Sequence, residues 1–158
     1  MKHTLKRSLA VVIAAITIIG FCAFYFAAPV HAAEANTTTH ETRLYKDGKF
    51  DITHPDDNLS MGDGAVLDSQ VTKINDNEYK ITVNFKKSFW SYGMKGSLKK
   101  VDVLGNVWGK EYTKEDKAIT SVSFRTNTMD YPQIFKTEFT INIFGIMPKA
   151  AVGDIVIF

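Results

Sequence analysis

The clearest structural signal in the chain is a strict alternation of apolar and polar residues over positions 79–86. The apolar members are Tyr79, Ile81, Val83 and Phe85, and the polar members are Lys80, Thr82, Asn84 and Lys86. Successive side chains of a strand point to opposite faces, so a period of two predicts a strand with one buried and one solvated face. Such half-buried strands are typical of antiparallel sheets.

Shorter β-prone segments recur along the rest of the chain, at 71–74, 99–104, 118–125, 135–144 and 153–158, and a further one at 44–52 contains an Asp47-Gly48 turn. No helical stripe longer than about two turns separates them, whereas helices usually run about three. Several short strands at this spacing predict an all-β, immunoglobulin-like antiparallel sandwich. One short 3₁₀ turn is expected on a loop near Met61.

The N-terminal segment has the composition of a secretory signal peptide. Lys2, Lys6 and Arg7 precede an apolar run over 9–28, and small residues follow up to Ala32. This pattern predicts residues 1–32 as a signal peptide cleaved after Ala32, with an uncleaved N-terminal anchor as the alternative. Residues 33–42 are predicted to form a linker and residues 43–158 a single domain. The protein is therefore expected to be secreted, or held at the cell surface by that N-terminal segment, which would be its only contact with a membrane.

Charge and cysteine usage exclude several classes of function. Without residues 1–32 the chain has 126 residues, with 16 Lys and Arg against 17 Asp and Glu, a formal charge of −1. No basic field remains to attract nucleic acid. The single cysteine, Cys22, lies within the predicted signal, which excludes cysteine nucleophiles and thiolate metal sites from the domain. His54 is the only histidine within 43–158 and no phosphate-binding or Ser-nucleophile motif is present, so we expect no enzymatic activity.

The segment Ser60-Met61-Gly62-Asp63-Gly64 is the first candidate for a binding site. Its two glycines permit a tight turn and a close approach to a ligand. The thioether of Met61 is able to pack in a core or to bind a soft metal centre.

Two further segments contain candidate binding residues. Phe89, Trp90 and Tyr92 belong to a dense aromatic segment over 89–96, which is predicted to be a loop. Between 139 and 147 the odd positions are apolar or small, so a continuous strand places Met147 on the buried face beside a gap at Gly145. A lone methionine on an apolar face is more often core than ligand, and the residues alone leave both readings open.

Taken together, the Ser60-Met61-Gly62 turn, the aromatic segment over 89–96, the apolar segment over 141–147 and the closing strand to Phe158 resemble the NEAT (near iron transporter) domain of Gram-positive haem-uptake proteins. The resemblance covers about residues 44–158 and rests on order and spacing. It implies an immunoglobulin-like sandwich that holds haem b between a 3₁₀ segment and its last hairpin. It also implies that haem donors or acceptors, such as host haemoproteins or other surface relay proteins, are partners.

The chain departs from the commonest pattern of that family, because no tyrosine follows Tyr131 to supply the usual phenolate ligand. The resemblance therefore implies either a domain that does not bind haem and serves adhesion or protein interaction, or one whose iron lies between the thioethers of Met61 and Met147. In the second case Ser60, Phe89, Trp90 and Tyr92 would contact the porphyrin. Lys95 and Lys99 are candidates to meet a propionate, although both are more simply explained as surface lysines.

Overall fold

The computed structural model describes residues 36–91, 93–143 and 147–158, with the side chains of Ser91 and Met147 excepted. The predicted signal peptide, the first three residues of the predicted linker, Tyr92 and the predicted gap at Gly145 lie outside that description. Within these ranges the structure contains ten strands and one 3₁₀ turn, Asp63–Ala65. The strands are β1 Thr37–His40, β2 Thr42–Lys46, β3 Val66–Asn75, β4 Glu78–Phe85, β5 Phe89–Ser91, β6 Met94–Val103, β7 Trp108–Glu115, β8 Ala118–Thr126, β9 Gln133–Ile143 and β10 Met147–Ile157. No helix among the described residues is long and apolar enough to cross a bilayer.

The strands form two five-stranded sheets, ordered β1-β3-β4-β8-β7 and β2-β10-β9-β6-β5. Every pairing in both sheets is antiparallel. The predicted all-β, immunoglobulin-like sandwich is therefore confirmed. Alternate residues of both sheets form one continuous apolar cluster, which is the core of the sandwich.

The alternating segment forms β4 as predicted. Ile81 and Val83 are fully buried and Phe85 is 4% exposed, while Lys80, between Tyr79 and Ile81, is half-buried and forms an ion pair with Glu111. The same parity operates in β9, where Phe139 and Ile141 belong to the core. The period of two in the sequence thus identifies which face of each strand is buried.

Several local predictions differ from the structure. The linker predicted over 33–42 is shorter, because residues 37–40 form β1 and pair with β3. The predicted strand at 153–158 begins earlier, at Met147, since β10 pairs with β9 along eleven residues. Met147 therefore lies opposite Ile143 on a new strand, and the prediction of one continuous strand from Phe139 to Met147 is wrong. The aromatic segment at 89–96 is a hairpin of β5 and β6 with a turn near Gly93, which has a φ of 74°.

The β-prone segment predicted at 44–52 is a strand only up to Lys46, and residues 47–52 form no strand. The segment after β2 crosses the outer face of that strand, where Phe50 packs edge-on against Tyr45 and Phe158 at ring distances of 4.9 and 5.8 Å. The hydroxyl of Tyr45 donates to the carbonyl of Pro55. The N–H of Gly48 donates to a carboxylate oxygen of Asp154 at 2.7 Å. This covering segment explains why Tyr45 is fully buried although it faces away from the main core.

Candidate functional site

The segment that carries Ser60 and Met61 lies along the free edge of β2. Tyr45 and Leu59 form an antiparallel bridge. The N–H of Lys46 donates to the carbonyl of Asn58 at 3.0 Å, and the N–H of Ser60 donates to the carbonyl of Leu44 at 2.8 Å. An edge strand presents unpaired backbone groups, and here the segment that leads to the candidate site satisfies them.

Hydrogen bonds within the following turn determine where Met61 lies. The N–H of Asp63 donates to the carbonyl of Ser60 at 3.0 Å, and the N–H of Ala65 donates to that of Gly62 at 2.9 Å. The Ser60 hydroxyl accepts a longer bond from the N–H of Gly62, at 3.3 Å. These bonds close the 3₁₀ turn immediately after Met61.

A carboxylate attaches this turn to β2 at a second point. One oxygen of Asp63 accepts from the N–H of Leu44 at 2.8 Å, and the other lies 3.4 Å from the Nε atom of Arg43. Arg43 also lies 3.6 Å from a carboxylate oxygen of Glu41 and 3.7 Å from one of Asp56. The side chain of Asp63 is only 18% exposed, so its contacts with β2 are partly shielded from solvent.

A cavity of about 220 Å³ separates this turn from the last hairpin. Its floor consists of apolar residues of β9 and β10, namely Phe139, Ile141, Ile143, Ala151 and Val152. Ser60 and Met61 form the opposite wall, and Lys46 and Lys149 complete the lining. The cavity is therefore an apolar slot with a thioether on one wall and two basic side chains.

Strand register gives the order of residues along the floor. Phe139 pairs with Ala151, Ile141 with Lys149, and Ile143 with Met147. Directly opposed residues of antiparallel strands lie side by side on the same face. The backbone position of Met147 thus continues the row of residues that line the slot, at the end nearest the hairpin turn, and its side chain lies outside the description.

The predicted site residues are distributed over two neighbouring places. Ser60 and Met61 line the slot. Phe89 is 4% exposed and borders a narrow gap of about 10 Å³ that it shares with Met61 and Met94, next to the slot. Trp90 is 69% exposed on the opposite side of the same strand. Neither aromatic residue is among the described residues that line the slot.

The lysines considered from the sequence also lie elsewhere. Lys99 donates to the carbonyl of Lys117 at 3.3 Å, and Lys95 is exposed opposite Trp90 in the β5–β6 hairpin. The basic residues at the slot are Lys46 and Lys149, which sequence reasoning did not identify. Alternation along the last strand could have identified Lys149, because odd-numbered residues there share one face and Lys149 lies on it between Met147 and Ala151.

Two larger hollows are less suited to a flat apolar ligand. One, of about 290 Å³, is bordered by the charged groups of Glu41, Arg43 and Asp56. The other, of about 310 Å³, lies on the hairpin beside Lys100 and Glu138. Among the described residues no group of three or more His, Asp or Glu is placed to hold a bare metal ion.

Fold and slot together define an immunoglobulin-like β-sandwich with an apolar cleft between a 3₁₀ turn and its final hairpin. The chain is similar to the solved structure of the NEAT5 domain of IsdX2, a B. anthracis hemophore in complex with haem, with 16% identity and a TM-score of 0.54. That match covers 79% of this chain and 97% of that one. A haem-bound mutant of the same domain matches with the same identity and TM-score and is covered to 96%. At this identity the likeness establishes a NEAT-like fold.

No protein-family model matches the sequence, and no curated protein does. The fold is thus recognisable in three dimensions but not through overall sequence similarity.

Proposed function

We propose that this protein binds haem in the slot between the Met61 turn and the β9–β10 hairpin, and that it is a secreted or surface-exposed carrier in haem-iron acquisition and transfer. The observation that carries the proposal is the apolar slot itself, located between a 3₁₀ turn and the last hairpin of a NEAT-like sandwich. The two solved structures named above, both of the NEAT5 domain of IsdX2, are complexes with haem. The proposal assigns the protein a carrier role without catalysis.

The lining of the slot is chemically suited to a porphyrin. Apolar side chains supply most of it, and ligand sites of this kind usually combine an apolar surface with few polar groups. Such sites commonly measure about 300 to 1,000 Å³. A slot of about 220 Å³ would enclose one part of the macrocycle and leave another edge in solvent. A partly exposed ligand is accessible to a second protein, as transfer requires.

We further propose that thioethers ligate the iron, with Met61 on the wall side and Met147 on the hairpin side. The position of Met61 on the wall and the register of Met147 with Ile143 support this assignment. A soft, neutral sulfur favours ferrous over ferric iron, so a methionine ligand raises the reduction potential of haem. Two such ligands would hold ferric haem less firmly than a phenolate does.

The test is an absorption titration of the purified protein with hemin, followed by reduction with dithionite. We expect a stoichiometric low-spin spectrum that sharpens on reduction. Met61→Ala and Met147→Ala should each convert it to a five-coordinate spectrum or abolish it. Met129→Ala is the matched control, because Met129 packs against the core at the other end of β9.

The outcomes distinguish haem binding from a role in adhesion or protein interaction. A Soret band unchanged from free hemin would overturn haem binding and direct the search towards protein partners, the adhesion or interaction role considered above. Haem binding that survives both substitutions unchanged would retain the carrier role and reject thioether ligation.

A further inference from the structure

Two basic side chains border a slot whose other described lining is apolar except for Ser60. Lys46 belongs to the end of β2, and Lys149 to the middle of the hairpin floor. No aspartate or glutamate is among the described residues that line the slot. The local charge is therefore positive, which an apolar ligand alone would not require.

The register places both lysines on the inner face of the same sheet. Lys46 is directly opposite Gly153, and Lys149 lies four residues from Gly153 along β10. With a rise of about 3.4 Å per residue, the two positions are about 14 Å apart along the strand. Ile143 lies beyond Lys149, towards the hairpin turn. Phe139 and Ala151 thus lie between the two basic positions, and Ile143 lies at the end of the slot beyond Lys149.

Neither lysine has an ion-pair partner among the described residues, whereas neighbouring lysines of the same sheet do. Lys136 lies 3.0 Å from a carboxylate oxygen of Asp47, and Lys100 lies 3.7 Å from one of Glu138. Lysine has a flexible stem that packs along apolar surface while its ammonium group stays hydrated. The arrangement suits a ligand that is apolar over most of its surface and carries acidic groups along one edge.

We infer that Lys46 and Lys149 bind the carboxylates of the ligand and thereby orient it, with its acidic edge towards their two ammonium groups and its apolar body against Phe139, Ile141 and Ile143. This inference rests on the proposed function, in which the acidic edge is the pair of haem propionates. It assigns these carboxylates to Lys46 and Lys149 in place of Lys95 and Lys99.

The experiment compares hemin with its dimethyl ester, in which the propionates are uncharged, by titrating the protein with each. We expect hemin to bind about tenfold more tightly than the ester, since charge-assisted contacts contribute more than neutral ones. Lys46→Gln and Lys149→Gln should each weaken hemin binding about threefold and leave ester binding unchanged. Lys149→Glu should weaken hemin binding further. Added salt should reduce the preference for hemin, because these charges are exposed.

Lys49→Gln is the matched control, since it removes the same charge from an exposed residue that is not among the described lining of the slot. Equal affinity for hemin and its ester, or an equal loss of hemin affinity in the control, would overturn the inference. Failure of both porphyrins to bind would instead overturn the proposed function, so the two results are distinguishable.

Discussion

Asp63 connects the candidate site to the rest of the fold through a single carboxylate. It accepts from the backbone of Leu44 and lies beside Arg43, while its own N–H closes the turn on Ser60. The side chain makes no contact with the slot itself. Its role is to position the wall that carries Met61.

Substitution of Asp63 should weaken both folding and ligand binding. Asp63→Ala leaves the buried N–H of Leu44 without its acceptor, which should lower the free energy of unfolding by about 1 to 3 kcal/mol. Asp63→Asn retains an oxygen acceptor and loses only the ion pair with Arg43, which should cost less than about 1 kcal/mol. Urea unfolding of both variants measures the loss of stability, and hemin titration measures the loss of ligand binding. Equal stability of the two variants would contradict the assigned hydrogen bond.

The phenol of Tyr45 should make stability depend on pH in the alkaline range. Burial raises its pKa above the usual value of 10.0, the largest effect, while the neighbouring Arg43 lowers it less. The folded chain therefore holds this proton more tightly than the unfolded chain does. The stabilisation is complete below pH 10 and is lost as the pH rises through the raised pKa.

The measurement is urea unfolding between pH 8 and pH 11, for the protein and for Tyr45→Phe. The decline in stability above pH 10 should be smaller in Tyr45→Phe, which should also be less stable at pH 8 because it lacks the hydrogen bond to Pro55. Tyr112→Phe is the control, since Tyr112 is 42% exposed on β7. Parallel pH profiles for the protein and Tyr45→Phe would reject the assignment.

The approach of β10 to β2 depends on a glycine. A Cβ atom at Gly153 would lie 2.5 Å from the carbonyl oxygen of Tyr45 and 3.1 Å from the ring of Phe139. A backbone oxygen is unable to move aside without displacing its strand. At Gly62 the nearest atom to such a Cβ is a terminal methyl of Leu44, at 2.9 Å, which is able to rotate away.

We therefore expect Gly153→Ala to be the more damaging of two chemically identical changes. It should lower the free energy of unfolding by about 3 kcal/mol, through strain in the β2–β10 pairing, and Gly62→Ala should lower it by about 1 kcal/mol. Urea unfolding of both variants makes the comparison. The reverse order would show that the turn, and not the strand pairing, is the tighter contact.

Strands with a buried face were predictable from sequence, and those without one were not. β4 and β9 show alternation because one face packs in the core. β7 is exposed on both faces and pairs only with β8, so no burial imposes a pattern on its residues. The short β5 was read as a loop because its three residues are too few to show a period.

Residues of the candidate site also differ in how far the local sequence predicts them. The Ser60-Met61 turn was predictable because its glycines and thioether are unusual at that spacing. Lys46 was not, since its place depends on pairing with Gly153, more than a hundred residues away in the chain. A lysine alone is also indistinguishable from any solvated surface residue.

The domain as a whole includes more of the N-terminal region than its sequence suggested. The Nδ1 atom of His40 lies 2.8 Å from the carbonyl oxygen of Phe158, and its ring stacks on Tyr131 at 4.6 Å. The hydroxyl of Thr42 donates to that of Ser69 at 2.7 Å within the interior. These contacts join the first strand to the last and connect the two sheets.

A chain that begins at Arg43 should consequently be less stable than one that begins at Ala33. It lacks β1, the ring contacts of His40 and the buried hydroxyl pair, and we expect a loss of at least about 2 kcal/mol in the free energy of unfolding. Urea unfolding of the two chains is the measurement. Coincident transitions would show that residues 33–42 act as the linker first predicted.

The two sides of the slot are attached to the protein with very different strength. The floor belongs to β9 and β10, and β9 is paired on both of its edges, with β10 along eleven residues. The wall is held to β2 by one bridge, a few backbone hydrogen bonds and the Asp63 carboxylate. Local opening begins where the fewest contacts must break. The off-rate of a bound porphyrin would thus be governed by detachment of the turn, and a receiving protein that engages the turn would accelerate the exchange without unfolding the sandwich.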